Sequence, residues 1–118
     1  MDAIVLDLPP PISVNLTRRF DFRTSAKVAA WYEMADRFIL AAKARGDVVF
    51  HRIPKYELHI VLSEDHVRVD ADNGLKLIID YLHRREITAD DGKKQLRKLT
   101  VEWGHAPAGV RLTVRPLQ

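Results

Sequence analysis

Apolar and polar residues alternate in four short stretches of this 118-residue chain, a period of two that is typical of β-strands. Pro9–Pro11 ends the first stretch, and a turn over 104–109 separates the last two. The pattern predicts four strands that each turn one apolar face inward. The inward positions are Ile4, Leu6 and Leu8; Tyr56, Leu58, Ile60 and Leu62; Leu99, Val101 and Trp103; and Val110, Leu112 and Val114.

Two longer segments repeat their apolar residues every three or four positions, which predicts amphipathic helices. The first runs from Ser25, as N-cap, to about Ala44 and stops at Gly46. Its buried stripe is Val28, Trp31, Tyr32, Ala35, Phe38, Ile39 and Ala42. The second runs from Asn73 to Arg84 with Asp72 as N-cap, and its stripe is Leu75, Ile78, Ile79 and Leu82. The alternation predicts one α/β (α+β) domain over residues 1–118, a small mixed β-sheet packed against two main helices.

Composition limits the chemistry, the cellular location and the partners that we expect for the protein. The chain has no cysteine, so disulfides and thiol chemistry are excluded. No apolar run approaches 18 residues and the N-terminus lacks a basic segment, so we expect a cytoplasmic protein with no membrane partner. The formal net charge of +3 is compatible with nucleic-acid binding without requiring it.

Acidic residues gather around the second helix. Asp70 and Asp72 precede it, Lys76 and Asp80 lie on its polar face, and Asp91 follows it. A helix of about 11 residues is ~16 Å long, and seven extended residues span ~23 Å, so Asp91 can return beside Asp70 and Asp72. Three carboxylates near a lysine can hold Mg²⁺ against a phosphate. The alternative is structural: Asp72 is only a cap, Asp70 points into water, and Asp90-Asp91-Gly92 is only a turn.

Two basic clusters accompany these carboxylates: Arg18, Arg19, Arg23 and Lys27 before the first helix, and Lys93, Lys94, Arg97 and Lys98 after Asp91. Either can contact a phosphate backbone, or be a solvated loop and the polar face of a strand. Phe20 and Phe22 can stack at opened DNA or dock the first loop onto the core, and we favour docking. The five histidines show no metal-binding spacing and are expected to be structural or exposed.

The segment Asp70-Ala71-Asp72-Asn73-Gly74-Leu75-Lys76, followed by Asp80 and Asp90-Asp91, resembles the RusA family of Holliday junction resolvases. The start Leu8-Pro9-Pro10-Pro11-Ile12-Ser13-Val14-Asn15 is also similar to the family's Pro-rich start, and the likeness extends over nearly the whole chain. Ala71 and Gly74 depart from it, since the family usually has leucine there. A further departure is Lys93, where the family tends to have glutamine.

The resemblance implies a RusA-like fold and a homodimeric endonuclease that cleaves four-way DNA junctions in recombination and repair, in bacteria or their prophages. Mg²⁺, or alternatively Mn²⁺, would be bound by Asp70, Asp72 and Asp91, with Lys76 as a catalytic or phosphate-contacting residue. Asp91 aligns with the family's metal ligand and would be the third ligand. Asp90 would then face away, because adjacent residues in an extended segment point to opposite sides. The competing interpretation is a noncatalytic DNA-binding or assembly protein derived from such a nuclease.

Overall fold

The computed structural model describes residues 3–12, 22–46 and 52–118. Over these residues the chain forms β1 (Ile4–Leu8), α1 (Phe22–Ala44), β2 (Tyr56–Ser63), α2 (Ala71–Arg84), β3 (Leu96–Gly104) and β4 (Val110–Pro116). The predicted mixed sheet with two helices is confirmed.

The four strands form one sheet in the order β1-β4-β2-β3. β4 is antiparallel to both β1 and β2, and β3 is parallel to β2, so β1, β2 and β3 all run in the same direction. Their last residues, Leu8, Ser63 and Gly104, therefore lie along one edge of the sheet, which we call the carboxyl edge. The opposite edge, where β2 and β3 begin, is the amino edge.

One face of the sheet is apolar because the strand registers align the inward residues in rows. One row joins Leu6, Leu112, Ile60 and Val101 across the four strands, and the rows on either side end at Leu99 and Trp103. The other face carries polar residues such as His59, Thr100 and Thr113. The predicted alternation of β2 is confirmed, since Tyr56, Leu58, Ile60 and Leu62 are all buried.

The helices contact each other through three aromatic rings. Tyr81 of α2 lies edge-on to Trp31 and Tyr32 of α1, with ring centroids 5.3 and 5.0 Å away. Each tyrosine hydroxyl also donates to an aspartate of the other helix: Tyr81 to Asp36 at 2.7 Å and Tyr32 to Asp80 at 3.0 Å. Edge-to-face rings and satisfied hydroxyls stabilise the α1–α2 contact.

Both helices begin earlier than predicted. α1 starts at Phe22, three residues before the expected cap Ser25. Its predicted end at Ala44 is confirmed, and Gly46, which follows, has a φ of 76°. α2 starts at Ala71, so Asp70 and not Asp72 is its N-cap. The buried positions of α2 also differ from the predicted stripe, because Leu75 and Ile79 are only partly buried. Its buried residues are Gly74, Leu77, Ile78, Tyr81 and Leu82.

β3 is less buried than its alternation predicts. Leu99 and Trp103 turn toward the helix-covered face but remain 41% and 45% exposed, because β3 is the last strand of the sheet on its side. Neither helix of the described ranges combines the length and apolar character that crossing a bilayer requires.

Candidate functional site

The carboxyl edge brings together three segments that are far apart in sequence. The Ser63 backbone N–H donates to the Gly109 carbonyl at 2.9 Å, and the Trp31 indole Nε1–H donates to the Pro10 carbonyl at 2.9 Å. Gly109 adopts a φ of 130°, and a Cβ there would lie 2.5 Å from the Pro10 nitrogen, so only glycine fits. The proline segment is thus held between α1 and the β3–β4 turn.

The start of α2 lies against the same proline segment. A Cβ at Gly74 would lie 2.9 Å from Cγ of Pro11, so this glycine lets the first turn of α2 approach the proline ring. Glycine in a helix costs about 1 kcal/mol relative to alanine, and close packing is the physical reason to keep it there. Gly74, where the sequence departs from the RusA pattern, is therefore explained by the close contact between α2 and Pro11 at the carboxyl edge.

Asp70, Asp72 and Lys76 all lie exposed at this end of α2. Asp70 occupies the N-cap position but its side chain makes no capping hydrogen bond. Among the described residues, none of the ion pairs involves Asp70, Asp72 or Lys76. Asp72 and Lys76 are four residues apart and share one face of the helix. Both carboxylates therefore lie at a helix N-terminus without an ion-pair partner in the described part of the chain, and the backbone N–H groups there favour negative charge.

Positive side chains lie close to this end of the sheet. An apolar groove of about 510 Å³ runs between the proline segment, α1 and the loop before α2, and Lys27, His66 and Arg68 contribute to its lining. Val69, the neighbour of Asp70, lines the same groove. The carboxyl edge thus combines two exposed carboxylates with basic side chains, Lys27 and Arg68, that can contact phosphates.

Asp90 and Asp91 lie at the amino edge. The Tyr56 hydroxyl, at the start of β2, donates to the Asp90 carbonyl at 2.6 Å. The Asp91 backbone N–H donates to Asp90 Oδ1 at 2.8 Å and lowers the pKa of the Asp90 carboxyl. Because α2 has 14 residues, about 21 Å of helix separates this region from Asp70. The expected return of Asp91 to the side of Asp70 and Asp72 does not occur within the chain.

The reason is the parallel pairing of β2 with β3. A helix that connects two parallel strands carries the chain back to the edge where the first strand began. Residues just before β3, including Asp91, must therefore lie at the amino edge, and residues just after β2, including Asp70, at the carboxyl edge. In the described ranges, no group of three or more His, Cys, Asp or Glu residues is arranged to hold a metal ion.

The other predicted contact residues divide between the two edges. Four of them lie outside the described residues: Arg18, Arg19, Phe20 and His51. Phe22 is the first residue of α1, and Arg23 lies in its first turn. Lys93 and Lys94 are exposed at the amino edge, and the Lys93 carbonyl accepts a hydrogen bond from Arg97 at 2.9 Å. Two histidines have structural partners, His59 with Glu102 and His83 with Asp80.

The sequence does not reveal the roles of two groups. Arg68 and His66 are isolated in the sequence, and only the fold brings them beside Lys27. Asp36 is not among the predicted site residues, yet it accepts from Tyr81 and from Arg85, whose Nε and Nη2 lie 2.9 and 3.1 Å from its two oxygens. The spacing of Tyr81 and Arg85, four residues apart on one helix face, was the available signal.

Neither a protein-family model nor a curated protein matches this sequence.

Proposed function

We propose that the protein is a RusA-like, Mg²⁺-dependent endonuclease that resolves four-way DNA junctions by hydrolysing phosphodiester bonds. The observation that carries this proposal is the exposed pair Asp70 and Asp72, with Lys76, at the start of α2, none of which has an ion pair among the described residues. Exposed carboxylates without such partners contribute little to the stability of the fold, and this favours a role in binding.

Two carboxylates suit Mg²⁺ bound together with a substrate. Mg²⁺ in phosphoryl-transfer sites is commonly held by one or two protein carboxylates, while substrate phosphates and water complete its coordination. Asp70 and Asp72 would hold the ion in this way. When bound, Mg²⁺ supplies a water nucleophile active at neutral pH and stabilises the charge of the reacting phosphate.

The neighbouring cations would position the DNA. Lys76 would neutralise the phosphate or the leaving oxygen, whereas Lys27 and Arg68, which line the groove beside Val69, would contact the flanking backbone. Contacts of this kind release counterions, so we expect affinity for DNA to fall steeply with salt.

Asp91 can join Asp70 and Asp72 only from a second copy of the chain, because α2 separates them within one copy. In the homodimer implied by the resemblance, the Asp91 ligand would therefore act in trans. Two such sites related by a two-fold axis suit paired cleavage of a four-way junction.

The direct test is cleavage of a synthetic four-way junction with and without Mg²⁺. We expect Asp70→Asn and Asp72→Asn to lower the cleavage rate by at least about 100-fold, the scale of losing one electrostatic contact to a transition state, while junction binding remains. Glu33→Gln, an exposed acid on α1, is the matched control and should cleave normally. Parental cleavage by either aspartate variant would refute the assignment of that residue.

Mixing two inactive variants tests the trans arrangement. Heterodimers of Asp72→Asn with Asp91→Asn retain one site with all three carboxylates if Asp91 acts in trans, so co-refolding the two should restore part of the activity. If all three carboxylates came from one chain, every chain in the mixture would carry a defect and no activity would return. Asp90→Asn should keep most activity by itself, because its carboxylate accepts the Asp91 N–H.

A noncatalytic DNA-binding protein is the second candidate, and it is favoured by the lack of a three-residue metal-binding group in the described ranges. It predicts junction binding of equal strength with and without Mg²⁺ and no cleavage product. The same junction assay therefore separates the two candidates.

A further inference from the structure

β1 and β3 are the two outer strands of the sheet, and they differ in how well they are protected from pairing with another chain. β1 has five residues, is followed directly by prolines, and carries Asp7 in an ion pair with Arg111 at 2.9 Å. These are features that keep an edge strand from pairing with another chain. β3 has nine residues and no proline, and no described strand pairs with its outer side.

β3 also exposes apolar side chains. Leu99 and Trp103 are 41% and 45% exposed although they face the same side as the buried Leu58 and Leu62. The apolar face thus continues past the helices to the outer edge of β3. An unpaired edge with exposed apolar residues is the usual mark of a strand that pairs with a partner.

We propose that the outer edge of β3 pairs antiparallel with the β3 of a second copy, about a two-fold axis at Thr100, to give a continuous eight-stranded sheet. Antiparallel neighbours directly opposite each other point to the same face of a sheet. A two-fold axis perpendicular to the sheet must therefore lie midway between a residue and its own copy, so that this residue is paired with itself. Thr100 is the middle residue of Leu96–Gly104, and the regular pairing of β3 with β2 begins at Lys98, after a register shift that leaves Arg97 without a partner on β2.

The same register makes the strand self-complementary in charge. Lys98 lies opposite the partner's Glu102, and by symmetry the pair occurs twice, on the polar face with Thr100. Within its own chain the Glu102 carboxylate also lies 3.1 Å from Nε2 of His59. Moving the axis to Leu99 or Val101 places Lys98 opposite an uncharged residue. Charge therefore selects the axis at Thr100.

The apolar face is complementary as well. Leu99 lies opposite the partner's Val101, which buries the exposed leucine against a β-branched residue. The regular pairing over residues 98–102 extends about 16 Å, enough for the edge pairing to contribute to an interface. This interface does not depend on nuclease activity.

Charge reversal tests the register. We expect the wild-type chain to be a dimer by sedimentation equilibrium and Lys98→Glu or Glu102→Lys to raise the dissociation constant about tenfold or more, since two opposite-charge pairs become like-charge pairs. The double variant, which exchanges the two charges, should recover the dimer. Arg115→Glu on β4, on the same face but away from the edge, is the matched control.

A single cysteine tests the axis, because the natural chain has none. Opposed residues in an antiparallel pair have Cα atoms about 4.5–5.5 Å apart, within disulfide range, so Thr100→Cys should cross-link to its own copy under mild oxidation. Thr113→Cys on β4 should not. A monomeric wild-type chain, or a dimer unaffected by charge reversal and not linked at position 100, would overturn the interface. A monomeric chain would also exclude the trans role of Asp91, whereas a dimer formed through another surface would leave that role to the mixing experiment. Junction cleavage by the same variants is measured separately.

Discussion

The two ends of α2 carry aspartates of the same type in opposite circumstances. At its start, Asp70 and Asp72 are exposed and have no ion pair among the described residues. Near its end, Asp80 accepts from Tyr32 and pairs with His83 at 3.0 Å and with Arg84 at 2.8 Å. Asp80 is itself 40% exposed, so partners rather than burial distinguish the two ends.

The contacts at the C-terminal end of α2 also shift the pKa values of the groups there. Burial, together with the charge and hydrogen bond of Asp80, raises the pKa of Tyr32 to about 12. Burial tends to raise the pKa of Asp36, but hydrogen bonds from Arg85 and Tyr81 and the charge of Arg85 outweigh it and lower the pKa. The C-terminal end of α2 is therefore a structural network, whereas the N-terminal end leaves its carboxylates available to a ligand.

The largest effect is expected for Tyr81→Ala, at the structural end. Tyr81 is fully buried between Trp31 and Tyr32, so truncation should cost about 3–5 kcal/mol in the free energy of unfolding, as for other large buried aromatic residues. Denaturant unfolding followed by tryptophan fluorescence measures this. A loss below 1 kcal/mol would show that the aromatic cluster does not hold the two helices together.

A smaller loss, about 1–3 kcal/mol, is expected for Asp36→Ala, because the Tyr81 hydroxyl loses its acceptor and Arg85 its partner. Since the pKa of Asp36 in the folded chain lies below the ordinary 3.8, its contribution is present above about pH 3.8 and disappears as the pH falls through the folded value. The variant should therefore lose less stability than the wild type between pH 5 and pH 2. An equal loss in both proteins would contradict the network.

The smallest effect is expected for Asp72→Asn, at the start of α2. Only the favourable interaction of its charge with the helix N-terminus is removed, so the loss in unfolding free energy should be below about 1 kcal/mol. Added salt should reduce it further, because the group is exposed. A loss as large as that of Asp36→Ala would mean that Asp72 has a structural role after all.

Much of the fold could be predicted from the sequence, because alternation in β2 and β4 and the stripe of α1 report burial directly. The start of α2 could not, since Asp70, Asp72 and Asn73 are all good N-cap residues and spacing alone does not choose among them. The partial exposure of Leu99 and Trp103 could not be predicted from the sequence either. Alternation shows which face a residue takes but not how far the helices extend over it.

The candidate site could be predicted only in part. Asp70, Asp72 and Lys76 are adjacent in sequence, so their common location at one helix end followed from local structure. The position of Asp91 depends on strand direction, because the seven residues before it are long enough either to return along α2 or to stay at its end. The parallel pairing of β2 with β3 decides this, and no local pattern reports it.

The place of β4 in the sheet has a consequence for synthesis of the chain. β4 comes last in the sequence yet lies between β1 and β2, and it pairs Ile4 with Val114. While the ribosome is still translating, β2, α2 and β3 can assemble into a unit, but β1 has no strand to join until β4 emerges. Such distant pairing is slow to form, so the newly made β1 stays without its partner strand until β4 has been synthesised.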